Sequence, residues 1–525
     1  MRRRTVLGAA VGIAAMPAIT RAQGSRVLRY APGSDLAILD PTLTAAYVTR
    51  NHALMVFDTL YGQDNSYAPQ PQMVAGHVVE DDGRRWTLTL RDGLRFHDGE
   101  AVLARDAVAS IRRWGRIDAF GQALMAATDE LSASDDRRIL FRLKRPFPLL
   151  PNALSKVAVF CPVVMPARLA ESEPGRPISE MIGSGPFRFL ADERVPGSRN
   201  VYEKFTGYVP RPDGVTEFTA GPKHVHLDRV EWMTMPDSAT AASALRRGEI
   251  DWWENPTVDL VPMLRRQRSL TLRVLDPAGS AATLRFNFLH PPFDKPEIRR
   301  ALLHAIDQTA CMNAVVGDEP SLFNARLGVF SPLSPMASDA GLEVLTAPRD
   351  PGRTRREIAA AGYNGERVVL IGASDIPAIN AVTEVVADTM KRCGLNVDLV
   401  MTDWGAAVTR RLNRGPVAQG GWSAFCGTWS GQDFLNPAGH LPIRGNGQAS
   451  WSGWPENPRL EALRNAWFEA PDLAEQQRLC REIQEEVWRF VTYVPLGQFV
   501  QHTAFHNSIT GVLQGHPAFH NIRKG

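Results

Sequence analysis

The chain has 525 residues, of which 44% are hydrophobic and 22% are charged, the composition of an ordinary soluble globular protein. At about 150 residues per domain, this length predicts two to four domains with a large core. The formal charge of +3 becomes −1 without the four arginines of residues 1–22, because 55 basic residues then face 56 acidic ones. A near-neutral chain argues against a nucleic-acid-binding protein, which would carry a basic surface.

Residues 1–22 have the features of an export signal. Three arginines open the segment, an uncharged stretch runs from Thr5 to Thr20, and small residues follow. This pattern predicts a secretory signal peptide that is cleaved after about Ala22, which places the mature protein in the periplasm. The sequence RRTVL at residues 3–7 favours the twin-arginine export route over the general one. An uncleaved anchor and a disordered start are the alternatives.

The elements that follow are predicted from hydrophobic periodicity and turn residues. Strands are predicted at residues 25–30, 84–90, 138–143, 230–235, 249–253, 284–288, 368–371 and 397–401. Helices are predicted in a stretch through residue 60, then at residues 104–114, 238–247, 296–306, 351–361, 378–393 and 473–490, with one more after Asn457-Pro458. Residues 368–401 form a strand, a helix and a strand, which favours a parallel βαβ unit. Strands and helices alternate throughout, so the predicted class is α/β.

The cysteines offer no sequence signature of a metal or redox site. No pair is spaced as C-x-x-C, and the odd number leaves at least one cysteine unpaired. A disulfide is permitted in an exported protein, but a core of this size does not need one. We therefore expect buried free thiols at Cys161, Cys311, Cys393, Cys426 and Cys480.

Several short segments carry a more specific signal because they occur together and in order. They are WTLTLRDGLRFHDG at 86–99, ARDAV at 104–108, GSGPFRF at 183–189, FNFLHPPFD at 286–294, RRAL at 299–302, DP to AGY at 350–363 and DFLNP at 433–437. In this arrangement the chain resembles the bacterial extracellular solute-binding proteins of family 5. These are the periplasmic dipeptide-, oligopeptide- and nickel-binding components of ABC importers.

The resemblance implies a two-lobed periplasmic-binding-protein fold, type II-like, with an extra subdomain in the first lobe. The first lobe would be discontinuous in sequence, with the subdomain inserted near its start. The implied boundaries are 23–49 for the start of the first lobe, 50–184 for the extra subdomain, 185–275 for the first lobe, 276–488 for the second lobe and 489–525 for the return to the first lobe.

The resemblance also implies a non-enzymatic protein that captures a small solute by hinge closure. A di- or oligopeptide is the expected ligand, and a metal chelate, an opine or a sugar conjugate is the alternative. Permease subunits in the inner membrane would be the partners of a monomeric binding protein, with the ATPase on a separate chain and no nucleic acid involved. An exported hydrolase is a further alternative, but the chain contains no H-E-x-x-H, G-x-S-x-G, Walker A or G-x-G-x-x-G motif. Neither a cofactor nor a bound metal is therefore expected.

Asp433 is the leading candidate for a ligand contact. It occupies the position at which peptide-binding members of the family hold the α-ammonium group of the ligand. A cleft that closes on a cation needs a fixed anion, and a charge-assisted hydrogen bond there is short and strong. Phe434 and Asn436 replace the usual Tyr and second Asp, which leaves the ligand class open. A solvated loop aspartate is the alternative interpretation.

Further candidates are aromatic or basic residues around this segment and in the first lobe. Exposed rings in a cleft provide a large contact area at small entropic cost, although core packing is the alternative for any tryptophan. An arginine could bind a ligand carboxylate, with a surface role as the alternative. The candidate ligand-binding residues are Trp422, Trp429, Trp451, Trp253, Tyr47 and Arg444.

Overall fold

The structure, a computed structural model, describes residues 26–173 and 175–525, so the predicted leader at 1–22 lies outside the described residues. The strands are β1 Val27–Ala31, β2 Asp58–Thr59, β3 Tyr61–Gln63, β4 Pro69–Pro71, β5 Val74–Glu80, β6 Arg85–Leu90, β7 Thr128–Ala133, β8 Arg138–Leu143, β9 Val163–Val164, β10 Phe187–Phe189, β11 Arg199–Lys204, β12 Arg229–Met233, β13 Trp252–Trp253, β14 Leu270–Val274, β15 Ser280–Phe286, β16 Phe323–Asn324, β17 Arg367–Ala373, β18 Asn396–Thr402, β19 Ala424–Ser430, β20 Tyr493–Phe499, β21 His502–His506, β22 Ile509–Thr510 and β23 Arg523–Lys524. The α-helices are α1 Tyr47–Val56, α2 Ala104–Gly115, α3 Ala119–Ala127, α4 Leu150–Leu154, α5 Ala167–Ala170, α6 Ser238–Arg247, α7 Val261–Arg265, α8 Pro296–Leu303, α9 Gln308–Val316, α10 Glu343–Thr346, α11 Pro351–Ala360, α12 Pro377–Arg392, α13 Trp404–Arg410, α14 Pro458–Glu469 and α15 Leu473–Phe490.

Two large sheets form the cores of two lobes. The first sheet has seven strands in the order β10-β11-β12-β1-β13-β21-β14, and the second has six in the order β16-β20-β15-β19-β17-β18. The predicted βαβ unit is β17-α12-β18 in the second sheet, and its two strands pair in parallel. The α/β class and the two-lobed architecture are therefore confirmed.

A third, four-stranded antiparallel sheet forms the core of a subdomain that follows α1. Its strand order is β5-β6-β8-β7, and α2 packs against it. On β6, Trp86, Leu88 and Leu90 alternate with polar residues and are buried on one face. This period of two is the pattern from which the strand was predicted.

Two chain segments cross between the lobes side by side. One crossing lies between Val274, the end of β14 in the first sheet, and Ser280, the start of β15 in the second. The other returns between Phe499, the end of β20, and His502, the start of β21. The crossings touch at Gly279, where φ is 54° and a Cβ atom would lie 2.1 Å from the carbonyl oxygen of Phe499. Only glycine permits this conformation at this approach.

The return to the first lobe begins later in the chain than the predicted residue 489. Residues 493–499 pair with β15 in the second sheet, so the return crossing comes after Phe499. The helical stretch predicted through residue 60 is also shorter. α1 ends at Val56 because its carbonyl accepts a hydrogen bond from Gly185 of the inserted GSGPF segment, at 2.9 Å.

His97 holds this GSGPF segment in place. Its Nδ1 accepts a hydrogen bond from the backbone N–H of Gly183 at 3.2 Å, so its Nε2 carries the proton and donates to the Gly185 carbonyl at 3.0 Å. Burial lowers the pKa of His97 to about 4, so the ring is neutral at physiological pH. Both ring nitrogens are thus occupied in linking two loops of the scaffold.

The cysteines are buried free thiols, as expected. Burial raises the pKa of Cys161 and that of Cys311 to about 12, which removes thiolate character at neutral pH. In the part of the chain that the structure describes, no helix combines the length and the apolar character needed to cross a membrane.

Candidate functional site

Tyr47 joins the two lobes. It is the first residue of α1 in the first lobe, and its hydroxyl donates a hydrogen bond to Oδ2 of Asp433 at 3.2 Å. The same hydroxyl oxygen accepts a hydrogen bond from the backbone N–H of Ser430, the last residue of β19 in the second lobe. The short 3₁₀ turn Gly431–Phe434 places Asp433 directly after that strand. The two predicted residues Tyr47 and Asp433 therefore meet at the lobe interface.

Asp433 is a buried carboxylate with one oxygen unpaired. Its exposed fraction is 2%, and among the described residues none donates a hydrogen bond to Oδ1. Burial raises the pKa of Asp433 to about 6, although the charge of Lys156 and the hydrogen bond from Tyr47 oppose the shift. An unpaired buried carboxylate oxygen carries a large desolvation cost. The site is therefore suited to a ligand that brings a cationic donor.

Lys156 lies near Asp433 but is bound elsewhere. Its Nζ donates to Oδ2 of Asp118 and to the carbonyl of Val159, the latter at 2.7 Å. Burial alone would lower the pKa of Lys156, but Asp118 and Asp433 hold it above its ordinary value. Lys156 was not among the predicted residues. A sequence signal did exist, because it is a single charge within the otherwise uncharged segment 149–165.

Arg50 and a second, half-buried acid also lie at the lobe interface. The guanidinium of Arg50 lies 5.0 Å from the centroid of the Tyr47 ring and donates to the Oδ1 atom of Asn51 at 2.9 and 3.1 Å. Asp276, in the first crossing, accepts a hydrogen bond from Gln432 at 3.2 Å. Burial raises the pKa of Asp276, while the charge of Arg50 opposes that shift. The centre of the lobe interface is thus rich in charged groups.

Two of the predicted tryptophans form an aromatic wall near the end of β19, the strand that precedes Asp433 in the sequence. Trp429 lies near the end of β19, and its ring contacts that of Trp451 edge to face, with centroids 4.8 Å apart. Trp451 is half-buried and also contacts Phe425 at 5.2 Å. Aromatic surfaces of this kind provide contact area with little loss of conformational freedom.

Two other predicted tryptophans pack inside the lobes. Trp422 is fully buried in the second lobe, in ring contact with Phe425 and Trp454. Trp253 ends β13 and packs in a cluster with Leu264 under the first sheet. Within the described chain, neither indole forms a hydrogen bond or ring contact with the residues of the lobe interface. Both tryptophans are therefore packed in the core, which is the alternative interpretation given for them above.

Arg444 has a carboxylate partner within the second lobe. Its Nε donates to Glu461 at 3.2 Å, and Glu461 also pairs with Arg464 at 3.1 Å. The charges of Arg464 and Arg444 lower the pKa of Glu461 in spite of its burial. The structure thus places Arg444 in an internal ion-pair network rather than beside Asp433.

No metal centre is visible in the described residues. Within 26–173 and 175–525, no group of three or more His, Cys, Asp or Glu side chains is arranged to hold an ion. The buried histidines near the C-terminus, His516 and His520, have pKa values lowered by burial. The interface between the lobes instead offers a buried acid bridged by a tyrosine, together with two chain crossings that touch at Gly279.

Comparison with known proteins places this geometry in a family. The family model described as bacterial extracellular solute-binding proteins, family 5 Middle, matches residues 68–450. A probable peptide ABC transporter periplasmic-binding protein of Sinorhizobium fredii is 37% identical over 528 residues, which cover 98% of each chain. The glutathione-binding protein GsiB of Pectobacterium atrosepticum is 25% identical over 97% of this chain and 96% of its own.

Solved structures support the fold. The binding protein AgaA of A. tumefaciens in complex with agropinic acid has a TM-score of 0.79 at 19% identity, covering 95% of this chain and 99% of that one. DppA of Helicobacter pylori in complex with the peptide STSA also has a TM-score of 0.79, at 20% identity, covering 95% and 98%. The chain therefore belongs to the bacterial extracellular solute-binding proteins of family 5, and it is a substrate-binding protein of an ABC importer rather than an enzyme.

Proposed function

We propose that this protein captures a short peptide between its two lobes and holds the α-ammonium group of the peptide against Asp433. The observation that carries the proposal is the buried Oδ1 atom of Asp433, to which no described residue donates. A primary ammonium group supplies three N–H donors and a positive charge. It would complete the hydrogen bonding of the carboxylate and offset its burial.

The lobe contacts support a closure mechanism. Tyr47 of the first lobe touches Ser430 and Asp433 of the second, so these contacts form only when the lobes are together. A ligand that touches both lobes favours the closed form by its differential affinity for that form. The paired crossings at residues 275–279 and 500–501 are the hinge in this proposal.

Peptide as the ligand class is supported by the relatives. One relative is a probable peptide ABC transporter binding protein, and another is named for glutathione binding, so both names refer to peptidic compounds. The aromatic wall of Trp429 and Trp451 would contact side chains without selecting one sequence. An opine or a metal chelate remains the alternative ligand class.

The protein acts as a monomer in the periplasm, after loss of residues 1–22, and delivers its ligand to permease subunits in the inner membrane. The membership of the family and the sequence pattern of the leader support this location. The hydrolysis of ATP then takes place on a separate chain.

Native mass spectrometry of protein purified without refolding tests the ligand class. Expected is a bound mass that fragments into amino-acid residues and is lost from the Asp433→Ala variant. A bound opine or metal chelate would contradict the peptide proposal. Small-angle scattering with and without the identified compound then tests closure, for which a decrease in the radius of gyration is expected.

A further inference from the structure

Three phenylalanine rings join the extra subdomain to the second lobe, and we refer to them as the phenyl cluster. Phe120 lies on α3, which packs against α2 and β7 of the subdomain, and Phe147 lies between β8 and α4. Phe468 lies near the end of α14 in the second lobe. Its ring stacks on that of Phe147 with centroids 5.9 Å apart, and it contacts that of Phe120 at 5.9 Å. All three residues are no more than 5% exposed.

An ion pair at the rim of the phenyl cluster crosses the same boundary. Arg145 comes two residues before Phe147, and it pairs with Glu469, which directly follows Phe468. Both side chains are almost half exposed, at 41% and 48%. An exposed ion pair contributes little to stability by itself, because water and salt screen it. The pair can form only when α14 lies against the subdomain, so it marks the closed arrangement of the two surfaces.

On the second-lobe side, the phenyl cluster is linked to the segment that carries Asp433. Arg464 lies four residues before Phe468 on α14, and its guanidinium donates to the carbonyl of Pro437 at 3.0 and 3.2 Å. Pro437 ends the DFLNP segment that begins with Asp433. The helix that carries Phe468 is therefore tied to the loop that carries the acid, and both belong to the same lobe.

On the subdomain side, α3 is held in place next to the second lobe. Asp118 caps this helix by accepting a hydrogen bond from the Phe120 N–H at 2.9 Å, and its other carboxylate oxygen accepts from Lys156. Lys156 reaches the second lobe, because a Cβ atom on Gly439 would lie 3.7 Å from its Cε atom and 3.9 Å from Oδ1 of Asp433. The contact between subdomain and second lobe thus extends from the acid to the phenyl cluster.

The phenyl cluster makes one continuous core out of two parts. Buried side chains of the subdomain sheet, such as Leu131 and Phe141, and of the second-lobe helices, such as Leu460 and Ile483, belong to a single hydrophobic cluster. When the lobes separate, the phenyl rings between these parts must enter water. Because the exposure of apolar surface to water is unfavourable, the phenyl cluster favours the closed form whether or not a ligand is bound.

We infer that the phenyl cluster and the Arg145–Glu469 pair form a latch, which stabilises the closed form without ligand and so sets ligand affinity from outside the ligand site. This inference rests on the closure step of the proposed function and does not depend on the class of ligand. A ligand that binds the closed form has an apparent affinity that scales with the closed fraction. The loss of one buried phenyl ring from a contact shifts such an equilibrium by about tenfold or more.

Variants on both sides of the boundary test the latch. Phe468→Ala removes the ring on the second-lobe side, and Arg145→Glu places two acidic groups face to face at the rim. The double variant Arg145→Glu with Glu469→Arg reverses the pair and restores the attraction. Phe293→Ala is the matched control, because Phe293 is fully buried and its ring contacts that of Phe286 at 4.6 Å within the second lobe. Its removal costs a ring contact that closure does not change.

Small-angle scattering is measured on full-length protein that has been freed of ligand by unfolding and refolding, after circular dichroism establishes that each variant is folded. Phe468→Ala and Arg145→Glu should have a larger radius of gyration than the parent. The double variant should return to the value of the parent, and Phe293→Ala should have that value throughout. Arg145→Glu and the double variant change only exposed side chains, so they decide the question if Phe468→Ala does not fold.

Calorimetry with the peptide Ala-Ala-Ala measures the effect on affinity. Binding should be about tenfold weaker in Phe468→Ala and about threefold weaker in Arg145→Glu, and it should recover in the double variant. Equal radii of gyration for the parent and both single variants would overturn the latch, as would a double variant that is no more compact than Arg145→Glu. Failure of the parent to bind Ala-Ala-Ala would count against the peptide proposal alone, because the scattering experiment needs no ligand.

Discussion

The hydroxyl of Tyr47 lies 3.2 Å from a carboxylate oxygen of Asp433, although 386 positions separate the two residues in the sequence. The contact connects the first helix of one lobe to a 3₁₀ turn of the other. It leaves the second carboxylate oxygen without a donor among the described residues. The same acid can therefore help to hold the lobes together and still accept a hydrogen bond from a ligand.

Replacement of Asp433 by alanine tests the role of this acid. We expect Asp433→Ala to weaken binding of the natural peptide by about 1.5–3 kcal/mol, the range for a hydrogen bond to a charged group. Calorimetric titration measures the difference. Asp339→Ala is the control, because Asp339 is an exposed aspartate of the same lobe. Equal affinities of Asp433→Ala and the parent would refute the ammonium contact.

Ligand affinity should depend on pH through Asp433. Its pKa is raised by burial to about 6, so below that pH the carboxyl is protonated and no longer attracts an ammonium group. We expect binding at pH 5 to be about tenfold weaker than at pH 7.5. Titrations in this range should show a flat profile for Asp433→Asn. A parent profile as flat as that of the variant would show that another group anchors the ligand.

The stability of the unliganded protein should change in the opposite direction. A carboxyl whose pKa is higher in the folded than in the unfolded state stabilises the fold below its unfolded pKa, and this contribution is lost as the pH rises through the folded value. The window therefore runs from about pH 4 to about pH 6. As the pH rises through this window, the free energy of unfolding of Asp433→Asn should increase by up to about 3 kcal/mol relative to that of the parent. Chemical denaturation measures this difference. A constant difference between the two proteins would contradict the raised pKa.

Removal of the Tyr47 hydroxyl should favour the open form. In Tyr47→Phe, the Ser430 N–H loses its acceptor and Asp433 loses its donor, which we expect to cost the closed form about 1–2 kcal/mol. Small-angle scattering should then give the unliganded variant a larger radius of gyration than the parent. The variant should also require a higher ligand concentration to reach the radius of gyration of the closed form. Tyr208→Phe, which removes a hydroxyl bonded to Asp58 away from this interface, should leave the lobe equilibrium unchanged. If both variants close like the parent, the hydroxyl bridge has no part in closure.

The first crossing between the lobes should not tolerate a side chain at residue 279. A Cβ atom on Gly279 would lie 2.1 Å from the Phe499 carbonyl oxygen, and φ there is 54°. We expect Gly279→Ala to destabilise the protein by about 1–3 kcal/mol, the cost of strained backbone at a crowded position. Gly197→Ala is a suitable control for positive φ, since φ is 75° there but no described atom lies within 4 Å of the added carbon. Thermal unfolding that shifts equally for both variants would mean that contact between the crossings is unimportant.

Lys156 should be important for stability. Its replacement by methionine would leave Asp118 buried without its cation, and we expect a loss of about 3–5 kcal/mol in the free energy of unfolding. Equilibrium denaturation measures this loss. The double variant with Asp118→Asn should recover part of it, because the uncompensated charge is then removed as well. No recovery would indicate that packing of the lysine stem, rather than charge, is what matters.

Local patterns in the sequence predicted much of the fold. The helices Ser238–Arg247 and Leu473–Phe490 have the predicted limits, and a capping aspartate fixes the first residue of each. The end of α1 was missed because it depends on Gly185, which lies far away in the sequence and binds the last helical carbonyl. A helix end that depends on a tertiary contact of this kind leaves no signal in the neighbouring sequence.

The site was predicted less completely than the fold. Asp433 and Tyr47 come together in the structure. Their contact depends on the relative position of the two lobes, and this position cannot be deduced from the spacing of residues in the sequence. Trp422 and Trp429 lie seven residues apart in the sequence, yet Trp422 packs against Phe425 and Trp454 whereas Trp429 contacts Trp451. The direction of a side chain relative to a cleft follows from strand register. That register is apparent only once β19 is paired with its neighbours.

The buried thiols give this protein a built-in set of unfolding reporters. Because the cysteines have no disulfide partners and are shielded from solvent, a thiol reagent can reach them only when the surrounding core opens. Cys161 packs in the core cluster of the first sheet, whereas Cys426 lies on β19 of the second sheet and Cys480 on α15. Their separate labelling rates would therefore reveal which part of the molecule loosens first, without any engineered probe.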